Sequence, residues 1–222
     1  MARSAETAHV ATGRYAGAPA EERIAERRER LLEAALDLLG TDGWRGTTVR
    51  GVCEKAGLNP RYFYESFDDL DDLVIAVFER LVGEMTARIL EAFDAAPDDA
   101  REKTHATIAA CVHHLTEDPR RARVLFMEGL GNETLARRRL DAMHAMGQLV
   151  ATYARGFYGL SDDTDPIGEL GAAVLVGGVT ESIIAWLDGR LKIDRERLID
   201  DLTELWLITG EGAVAIARER AS

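Results

Sequence analysis

Several residue types are scarce in this chain of 222 residues, and each scarcity excludes a class of protein. Two cysteines cannot build the disulfide framework of a small secreted domain, and they lack the spacing of a metal site. Both, Cys53 and Cys111, lie in helical apolar segments, so we predict that they are reduced core residues. Five prolines and 6% aromatic residues, beside abundant Ala, Leu, Glu and Arg, are typical of a helical protein. Because no segment alternates apolar and polar residues over the length of a strand, the sequence predicts an all-α fold.

Long apolar runs are also missing. The longest, Ala172 to Val179, is much shorter than the roughly 20 residues that a membrane span needs. Residues 1–20 contain no apolar region of the kind found in an export signal, and we predict that they form a disordered N-terminal arm. We therefore expect a cytoplasmic protein with no membrane partner.

An overall excess of basic residues, the usual mark of a nucleic-acid-binding protein, is absent as well, since the net charge is -12. The charge is unevenly distributed, however. Residues 1–67 contain 10 Lys and Arg and 10 Asp and Glu, which leaves 17 basic and 29 acidic residues for 68–222. A near-neutral N-terminal part with a local basic face can hold DNA phosphates, whereas the acidic remainder is repelled by them.

The segment 47–67 contains the signals of two short helices joined by a tight turn. Thr47 or Thr48 can cap the first helix, and Gly57 can end it by adopting the left-handed conformation. Asn59–Pro60 then supplies a cap and a first-turn proline for the second helix. A connection this short makes the two helices cross steeply, which is the geometry of a helix-turn-helix.

Side chains suited to DNA contact lie at the starts of these two helices. The second helix presents Arg61, Tyr62 and Tyr64 in its first turns. Arg61 can contact a guanine edge or a phosphate, and tyrosine hydroxyls can donate to phosphate oxygens. Thr48 and Arg50, at the start of the first helix, are expected to meet the DNA backbone near the positive end of that helix. The alternative is an ordinary solvated face.

The stretch TTVRGVCEKAGLNPRYFYESFDDLDDLVIAVFER resembles the DNA-binding domain of the TetR family (TetR/AcrR-type) of bacterial transcriptional regulators. The resemblance covers about residues 21–82 and rests on the order and spacing of the caps, the turn, the recognition helix and the long helix that follows. It implies DNA contacts at Thr48, Arg50, Asn59, Pro60, Arg61, Tyr62 and Tyr64.

Some positions depart from the family pattern. Leu70 stands where the family often has a phosphate-binding lysine, and Glu65 and Ser66 stand where His and Tyr are common. Arg61 itself occupies a position where a glycine is common. A carboxylate near phosphates is repelled unless it accepts a hydrogen bond from a cytosine amino group, so these departures bear on the operator sequence and the affinity.

Helical periodicity continues to the end of the chain and predicts about nine helices in all. We predict a three-helix DNA-binding domain over 21–67 and a helical effector-binding and dimerisation domain over 68–222. The resemblance implies that the last two long helices pair with a second copy, so that the homodimer binds a palindromic operator in double-stranded DNA. The predicted interface residues are Val174, Gly178, Ile184, Leu202, Leu205 and Trp206, and the alternative is burial within one subunit.

The resemblance also implies a small-molecule effector that binds in the helical core and releases the protein, as a repressor, from its operator. The candidate lining residues are Phe93, His114, Phe126, Met127, Met143, Met146, Tyr153 and Trp186. Met143, Met146 and Tyr153 recur at helical spacing, which is more often the pattern of ordinary core. We predict no metal and no cofactor, because the adjacent His113 and His114 point in different directions on a helix and no thiol or carboxylate completes a set with His105.

Two other classes of protein remain as alternatives. One is a helical small-molecule-binding protein of the same fold with weak or no operator binding, which Leu70 and Glu65 favour. The other is an enzyme. We predict no enzymatic activity, because the sequence contains no phosphate-binding glycine loop, no catalytic triad and no paired carboxylates in an apolar setting.

Overall fold

The computed structural model describes residues 20–127, 133–158 and 166–221, without the side chains of Ala20, Met127 and Ala221. Within these ranges the chain forms nine α-helices and no strand, which confirms the predicted all-α class. The predicted arm lies outside the described residues except for its last residue, which begins the first helix. The helices are α1 (Ala20–Thr41), α2 (Val49–Ala56), α3 (Pro60–Tyr64), α4 (Leu70–Ala95), α5 (Ala100–Glu117), α6 (Pro119–Ala122), α7 (Glu133–Tyr158), α8 (Ile167–Leu187) and α9 (Arg195–Ala221).

The short helices begin and end where their capping residues predict. The Thr48 hydroxyl accepts a hydrogen bond from the Gly51 amide at 3.1 Å, and the Asn59 side chain accepts one from the Arg61 amide at 3.0 Å. Gly57 ends α2 with φ 63°, in the left-handed region that favours glycine. Thr47, the other candidate cap, is buried instead, and its hydroxyl donates to the Gly43 carbonyl. Thr48 therefore caps α2.

Gly51 lies in the first turn of α2, where glycine disfavours a helix. A Cβ atom at this position would lie 3.2 Å from the Thr48 Oγ1 and 3.7 Å from a methyl group of Leu38. The first distance is tight, so a side chain would crowd the hydroxyl that caps the helix. Glycine at this position leaves room for the Thr48 hydroxyl that caps the helix, and a residue with a side chain would not.

One hydrophobic core runs through both predicted domains. In the N-terminal part, Leu31 and Leu39 of α1 pack with Val52 of α2 and Phe63 of α3, and all four are fully buried. The first half of α4 joins the same core through Leu73 and its neighbours, while α4 also packs along α5. The predicted domain boundary at 67/68 therefore does not divide the core. Helix α4 lies after the boundary but packs against both α1 and α5.

The remaining helices form the C-terminal bundle. Helix α5 is central, since it packs against α4 on one side and α9 on another. Helix α7 packs on α8, and α8 packs on α9. A turn of π-helix at Arg123–Met127 follows α6 directly, and its Leu125 is buried in the core.

Both cysteines are free thiols in apolar surroundings, as the sequence predicts. Cys53 is buried at the crossing of α2 with its neighbours. Burial raises the pKa of the Cys111 thiol to about 12, so that it stays protonated at neutral pH. Its Sγ lies 3.9 Å from the Met85 Sδ. Neither thiol has the surroundings of a reactive cysteine.

Candidate functional site

The predicted DNA-contacting residues lie on one surface made by the start of α2 and by α3. Thr48, Arg50, Asn59, Pro60, Arg61 and Tyr64 are all exposed, and Tyr62 is half-buried. The structure therefore brings together the whole set that the sequence predicts. Phe63, between them, is fully buried and anchors α3 to the core.

Arg61 and Tyr64 are the most prominent side chains of α3. The Arg61 side chain is 82% exposed, and Tyr64 is 62% exposed with its ring edge against Phe63, 5.2 Å between ring centroids. Both polar ends, the guanidinium of Arg61 and the hydroxyl of Tyr64, are therefore accessible to a binding partner. A helix presented in this way fits the major groove of B-DNA.

At the start of α2, Arg50 is paired within its own helix. Its Nε donates to the Glu54 Oε1 at 2.8 Å, and both side chains are largely solvent-exposed. This hydrogen bond raises the pKa of Arg50, so the cation persists at every relevant pH. An exposed pair of this kind contributes little to stability, which leaves the guanidinium free to exchange Glu54 for a phosphate.

The acidic run that follows α3 caps the next helix. The Asp69 carboxylate accepts a hydrogen bond from the Asp72 amide at 2.9 Å, and the Asp72 carboxylate accepts one from the Asp68 amide at 3.2 Å. Asp69 therefore caps α4, while Asp72 accepts from the residue before the cap, so the two carboxylates together hold the turn that leads into the helix. Leu70, in the first turn of α4, is half-buried and packs against the core. No cation therefore stands at the position where the family often has a lysine.

A second site lies inside the C-terminal bundle. A cavity of about 540 Å³ is enclosed by α4, α5, α7, α8 and α9, with side chains of the π-helical turn at one end. This volume is within the range of small-molecule sites. Its lining is mostly apolar, with Met, Phe, Leu, Val and Ala side chains in the majority.

The cavity contains most of the predicted effector residues. Phe93, Phe126, Met143, Met146 and Tyr153 line it. The side chain of Met127 lies outside the described residues. Contact of these residues with an effector stays a prediction.

His114 and Trp186 do not line the cavity, which corrects the predicted set. His114 is 1% exposed in the core, and neither ring nitrogen has a hydrogen-bond partner. Desolvation, together with nearby arginines, lowers the pKa of His114, so the imidazole is neutral. Trp186 donates from its Nε1 to the Ile193 carbonyl at 2.8 Å and thereby fastens the turn between α8 and α9.

One polar residue at the mouth of the cavity, Lys103, was not among the predicted residues. Lys103 of α5 donates to the carbonyls of Phe93 at 3.1 Å and Ala96 at 3.4 Å, and its ammonium lies 4.5 Å from the centre of the Phe93 ring. Tyr153, whose ring centroid is 4.7 Å from that of Phe93, and Phe157 are partly exposed beside it. The only sequence signal for Lys103 is its place just after the helix break at Pro97. The mouth of the cavity is therefore aromatic, with the Lys103 ammonium and the Asp98 carboxylate beside it.

The predicted dimer residues divide into two groups. On α8, Val174 is 56% exposed and Gly178 is also exposed. On α9, Leu205 is 59% exposed. Ile184 is half-buried. Two further large apolar residues, Leu170 and Ile208, share this exposure. These side chains form an apolar surface on α8 and α9, which we name the α8–α9 face.

Two predicted interface residues belong inside the subunit instead. Leu202 is 4% exposed because it faces the core beneath α9. Trp206 is half-buried and lines the cavity. Helical spacing places both residues near Leu205, but it does not decide which side of α9 faces inward.

Among the described helices, α8 alone is long and apolar enough to cross a membrane on length and composition. This corrects the expectation that the chain contains no such segment, since the interruptions at Thr180 and Glu181 do not end the helix. Only 22% of its most apolar window is buried in the chain. The exposed apolar residues of α8 are those of the α8–α9 face.

A short connection joins the cavity to α1, the helix that α2 and α3 contact. Helix α6 lies against the end of α1, where a Cβ atom on Gly40 would come within 2.5 Å of the Arg120 Cβ. The Arg120 guanidinium lies 3.0 Å from Glu33 and 3.3 Å from Asp37, both on α1. Arg123 donates to the α1 carbonyl of Thr41 at 2.8 Å. The chain then enters the π-helical turn, whose Leu125 and Phe126 line the cavity.

Comparison with known proteins identifies the N-terminal module. Residues 31–77 match the model of the family described as bacterial regulatory proteins, tetR family. No curated protein matches the sequence.

Solved structures share the fold of most of the chain. The fatty acid degradation regulator FadR from Bacillus halodurans is 19% identical, with a TM-score of 0.67 over 82% of this chain and 94% of its own. A transcriptional regulator from Rhodococcus sp. Rha1 is 20% identical, with a TM-score of 0.66 over 83% and 96%. The transcriptional regulator FadR from Bacillus subtilis, in complex with stearoyl-CoA, is 20% identical, with a TM-score of 0.64 over 80% and 96%. The match to the tetR family model thus covers the N-terminal module, and the likeness to these solved structures shows that the chain shares their fold.

Proposed function

We propose that this chain is a cytoplasmic, homodimeric transcriptional repressor that binds a palindromic operator and is released from it by a small-molecule effector. The presentation of α3 supports this proposal most directly. Phe63 anchors the helix in the core while Arg61 and Tyr64 extend into solvent. A helix held this rigidly, with a guanidinium and a phenol free, is suited to read base edges and phosphates.

The proposed DNA contacts divide between the two helices. Arg61 of α3 contacts a base edge, and the hydroxyls of Tyr62 and Tyr64 contact phosphates. Thr48 and Arg50 fix the register on the backbone from the start of α2. Asn59 and Pro60 contribute mainly by setting where α3 begins, since the Asn59 side chain already accepts from the Arg61 amide.

The α8–α9 face is the proposed dimer interface. Its exposed apolar residues, with Gly178 allowing close approach of backbones, would be covered by the same face of a second copy in a two-fold arrangement. Two recognition helices would then lie about 34–36 Å apart, or a multiple of that distance, on one side of the duplex.

The cavity indicates the chemistry of the effector. Its apolar interior accommodates a hydrocarbon chain, and the aromatic mouth with Lys103 suits a polar or anionic head group. The structural likeness to FadR from Bacillus subtilis, whose structure is in complex with stearoyl-CoA, supports an amphipathic ligand of this kind. We therefore propose a long-chain acyl compound as the effector class.

Binding to DNA is tested first without any effector. The full-length protein is used to select duplexes from a random library, and gel shifts at several salt concentrations compare a selected duplex with a scrambled one. The proposal requires salt-dependent binding that is at least about 1,000-fold tighter for the selected duplex, the lower end for specific DNA-binding proteins. Equal affinity for both duplexes would contradict it.

Release is tested on the same complex. Stearoyl-CoA is expected to raise the Kd for the selected duplex, whereas free coenzyme A at the same concentration is expected to leave it unchanged, because only the acyl chain can fill the cavity. If neither compound changes the Kd, long-chain acyl compounds are not the effector class.

A second function, ligand binding without operator recognition, is favoured by one observation. Leu70 puts no cation at the start of α4, and the neighbouring Asp68, Asp69 and Asp72 add negative charge there. A protein of this kind would bind stearoyl-CoA and fail to select a duplex. The two titrations above therefore distinguish the two functions.

A further inference from the structure

A charged cluster joins the recognition helix to α1. The two oxygens of the Glu65 carboxylate are shared between two arginines: Oε2 lies 3.2 Å from the Arg27 Nη2, and Oε1 lies 3.3 Å from the Arg61 Nε. The Arg27 guanidinium also stacks over the Tyr62 ring, 4.4 Å from its centroid. Glu65 directly follows α3, and it thus links Arg27 of α1 with Arg61 at the start of α3.

The three side chains differ in exposure. Arg27 is held at 21% exposure between Tyr62 and Glu65, and Glu65 is 33% exposed. Arg61 is 82% exposed. An isolated exposed ion pair contributes little, but this carboxylate is partly buried and contacts two cations, one of which a ring also holds. The cluster therefore has a defined geometry before any DNA is present.

The carboxylate also changes the charge that the surface offers to DNA. Arg27 and Arg61 together carry two positive charges at the recognition helix, and Glu65 neutralises one of them. Guanidiniums that find any phosphate increase sequence-independent affinity, whereas selectivity depends on contacts to base edges. A carboxylate at this place lowers the sequence-independent affinity for phosphates. It can also orient an arginine toward a base edge and so increase selectivity.

We propose that Glu65 determines the sequence selectivity of the DNA-binding surface: its carboxylate holds Arg61 toward the groove and suppresses sequence-independent phosphate binding by the two arginines. This inference rests on the proposed DNA-binding function. Glu65 acts here as a positioning residue, and the contact to the base belongs to Arg61. Tyr62 has a related role, because its ring keeps Arg27 beside the carboxylate.

The test uses full-length Glu65→Gln, which keeps the shape of the side chain and removes its charge. The Kd is measured for a duplex that the wild-type protein selects and for a scrambled duplex, each over a series of salt concentrations. The scrambled duplex is expected to bind more tightly, with a salt slope steeper by about one ion, because one guanidinium is freed. The ratio of the two Kd values is expected to fall at least about fivefold, the low end for losing one oriented base contact.

Two further variants separate charge from shape. Glu26→Gln removes one negative charge from an exposed position on α1 and should leave the selectivity ratio unchanged. Glu65→Asp retains the charge at a shorter reach, so it should keep the wild-type salt slope while lowering the ratio. Thermal unfolding of all three variants checks that the domain remains folded.

The outcomes are distinguishable from failure of the proposed function. If the wild-type protein selects no duplex, the DNA-binding function itself is wrong. The wild-type protein can select a duplex while Glu65→Gln shows the wild-type ratio of Kd values and the wild-type salt slope. In that case only the role of Glu65 is wrong. A fall in affinity for both duplexes by the same factor, with a lower Tm, would show that Glu65 merely stabilises α3 and would likewise overturn the inference.

Discussion

At the residue scale, the exposed side chains of α3 carry the proposed contacts to DNA. Arg61→Ala and Tyr64→Phe are each expected to weaken operator binding by about 1–3 kcal/mol, because each removes a direct contact. Fluorescence anisotropy on a selected duplex measures the change, and the Tm should stay close to that of the wild type. Arg137→Ala is the matched control, since this arginine of α7 is similarly exposed and also pairs with a glutamate four residues away. Wild-type affinity in both α3 variants would exclude α3 as the recognition element.

Another residue-scale prediction concerns the buried imidazole of His114. Desolvation, with Arg121 and Arg88 nearby, lowers its pKa in the folded state below the usual 6.5. Below that pH the unfolded chain binds a proton that the folded chain does not, so the free energy of unfolding decreases as the pH falls through this region. His114→Leu should make stability less dependent on pH between about pH 7.5 and pH 5.5, as chemical denaturation measures.

The control for His114 is another histidine. His144 is exposed on α7, and His144→Leu should leave the pH dependence of stability as it is in the wild type. An unchanged pH dependence in the His114 variant would show that burial of this imidazole does not destabilise its charged form.

At this scale, the sequence predicts contacts between residues that are close in the chain and does not predict contacts between different helices. Thr48, Gly57 and Asn59 act on backbone groups within a few residues, so their roles could be predicted from local sequence. His114 and Trp186 were assigned to the cavity because helical spacing alone does not show which neighbouring helix each side faces. Lys103 was missed because its position depends on carbonyls at the end of another helix.

At the scale of elements, α6 is held to α1 by close packing at a glycine. Gly40→Ala would place a Cβ atom 2.5 Å from the Arg120 Cβ and 3.0 Å from its Cα. Because the helices must separate to admit it, the variant is expected to lose about 1–3 kcal/mol of stability. Gly83→Ala is the control: nothing lies within 4 Å of the added Cβ in the middle of α4, so it should gain about 0.5–1 kcal/mol. Chemical denaturation compares the two, and equal effects would show that α6 does not pack closely on α1.

The number of helices could be predicted from periodicity, caps and breakers, since the described residues form nine α-helices where the sequence predicts about nine. The orientation of α8 and α9 could not. Both helices are apolar on more than one side, because one side faces the core and another is exposed. For this reason the sequence assigned Leu202 and Trp206 to the dimer interface, although they face their own subunit.

At the scale of the whole molecule, the α8–α9 face predicts a dimer. Leu205→Asp and Val174→Asp are expected to convert it to a monomer at micromolar concentration, because each puts a charge into the proposed apolar interface. Light scattering after size-exclusion chromatography measures the mass. Leu140→Asp is the matched control, since Leu140 is similarly exposed, at 57%, but belongs to α7 and not to α8 or α9. A wild-type protein that is monomeric would remove the basis for a palindromic operator.

The two parts of the chain share one core but differ in net charge: residues 1–67 are near-neutral, and residues 68–222 are acidic. The proposed ligand and dimer surfaces lie in the part that DNA repels, and the proposed recognition helix lies in the part that DNA tolerates. The shared core through α4, with the α1–α6 contact, is the route that we propose for coupling a filled cavity to the separation of two recognition helices.

The most direct test is a titration of a selected duplex with the full-length wild-type protein, in which the stoichiometry and the footprint are measured together. We expect two protomers per duplex, two protected half-sites about one helical turn or a multiple of it apart, and loss of protection at the central bases of each half-site in Arg61→Ala. Protection that does not depend on sequence, or a footprint that Arg61→Ala and Tyr64→Phe leave intact, would contradict the assignment of α3 as the element that recognises DNA.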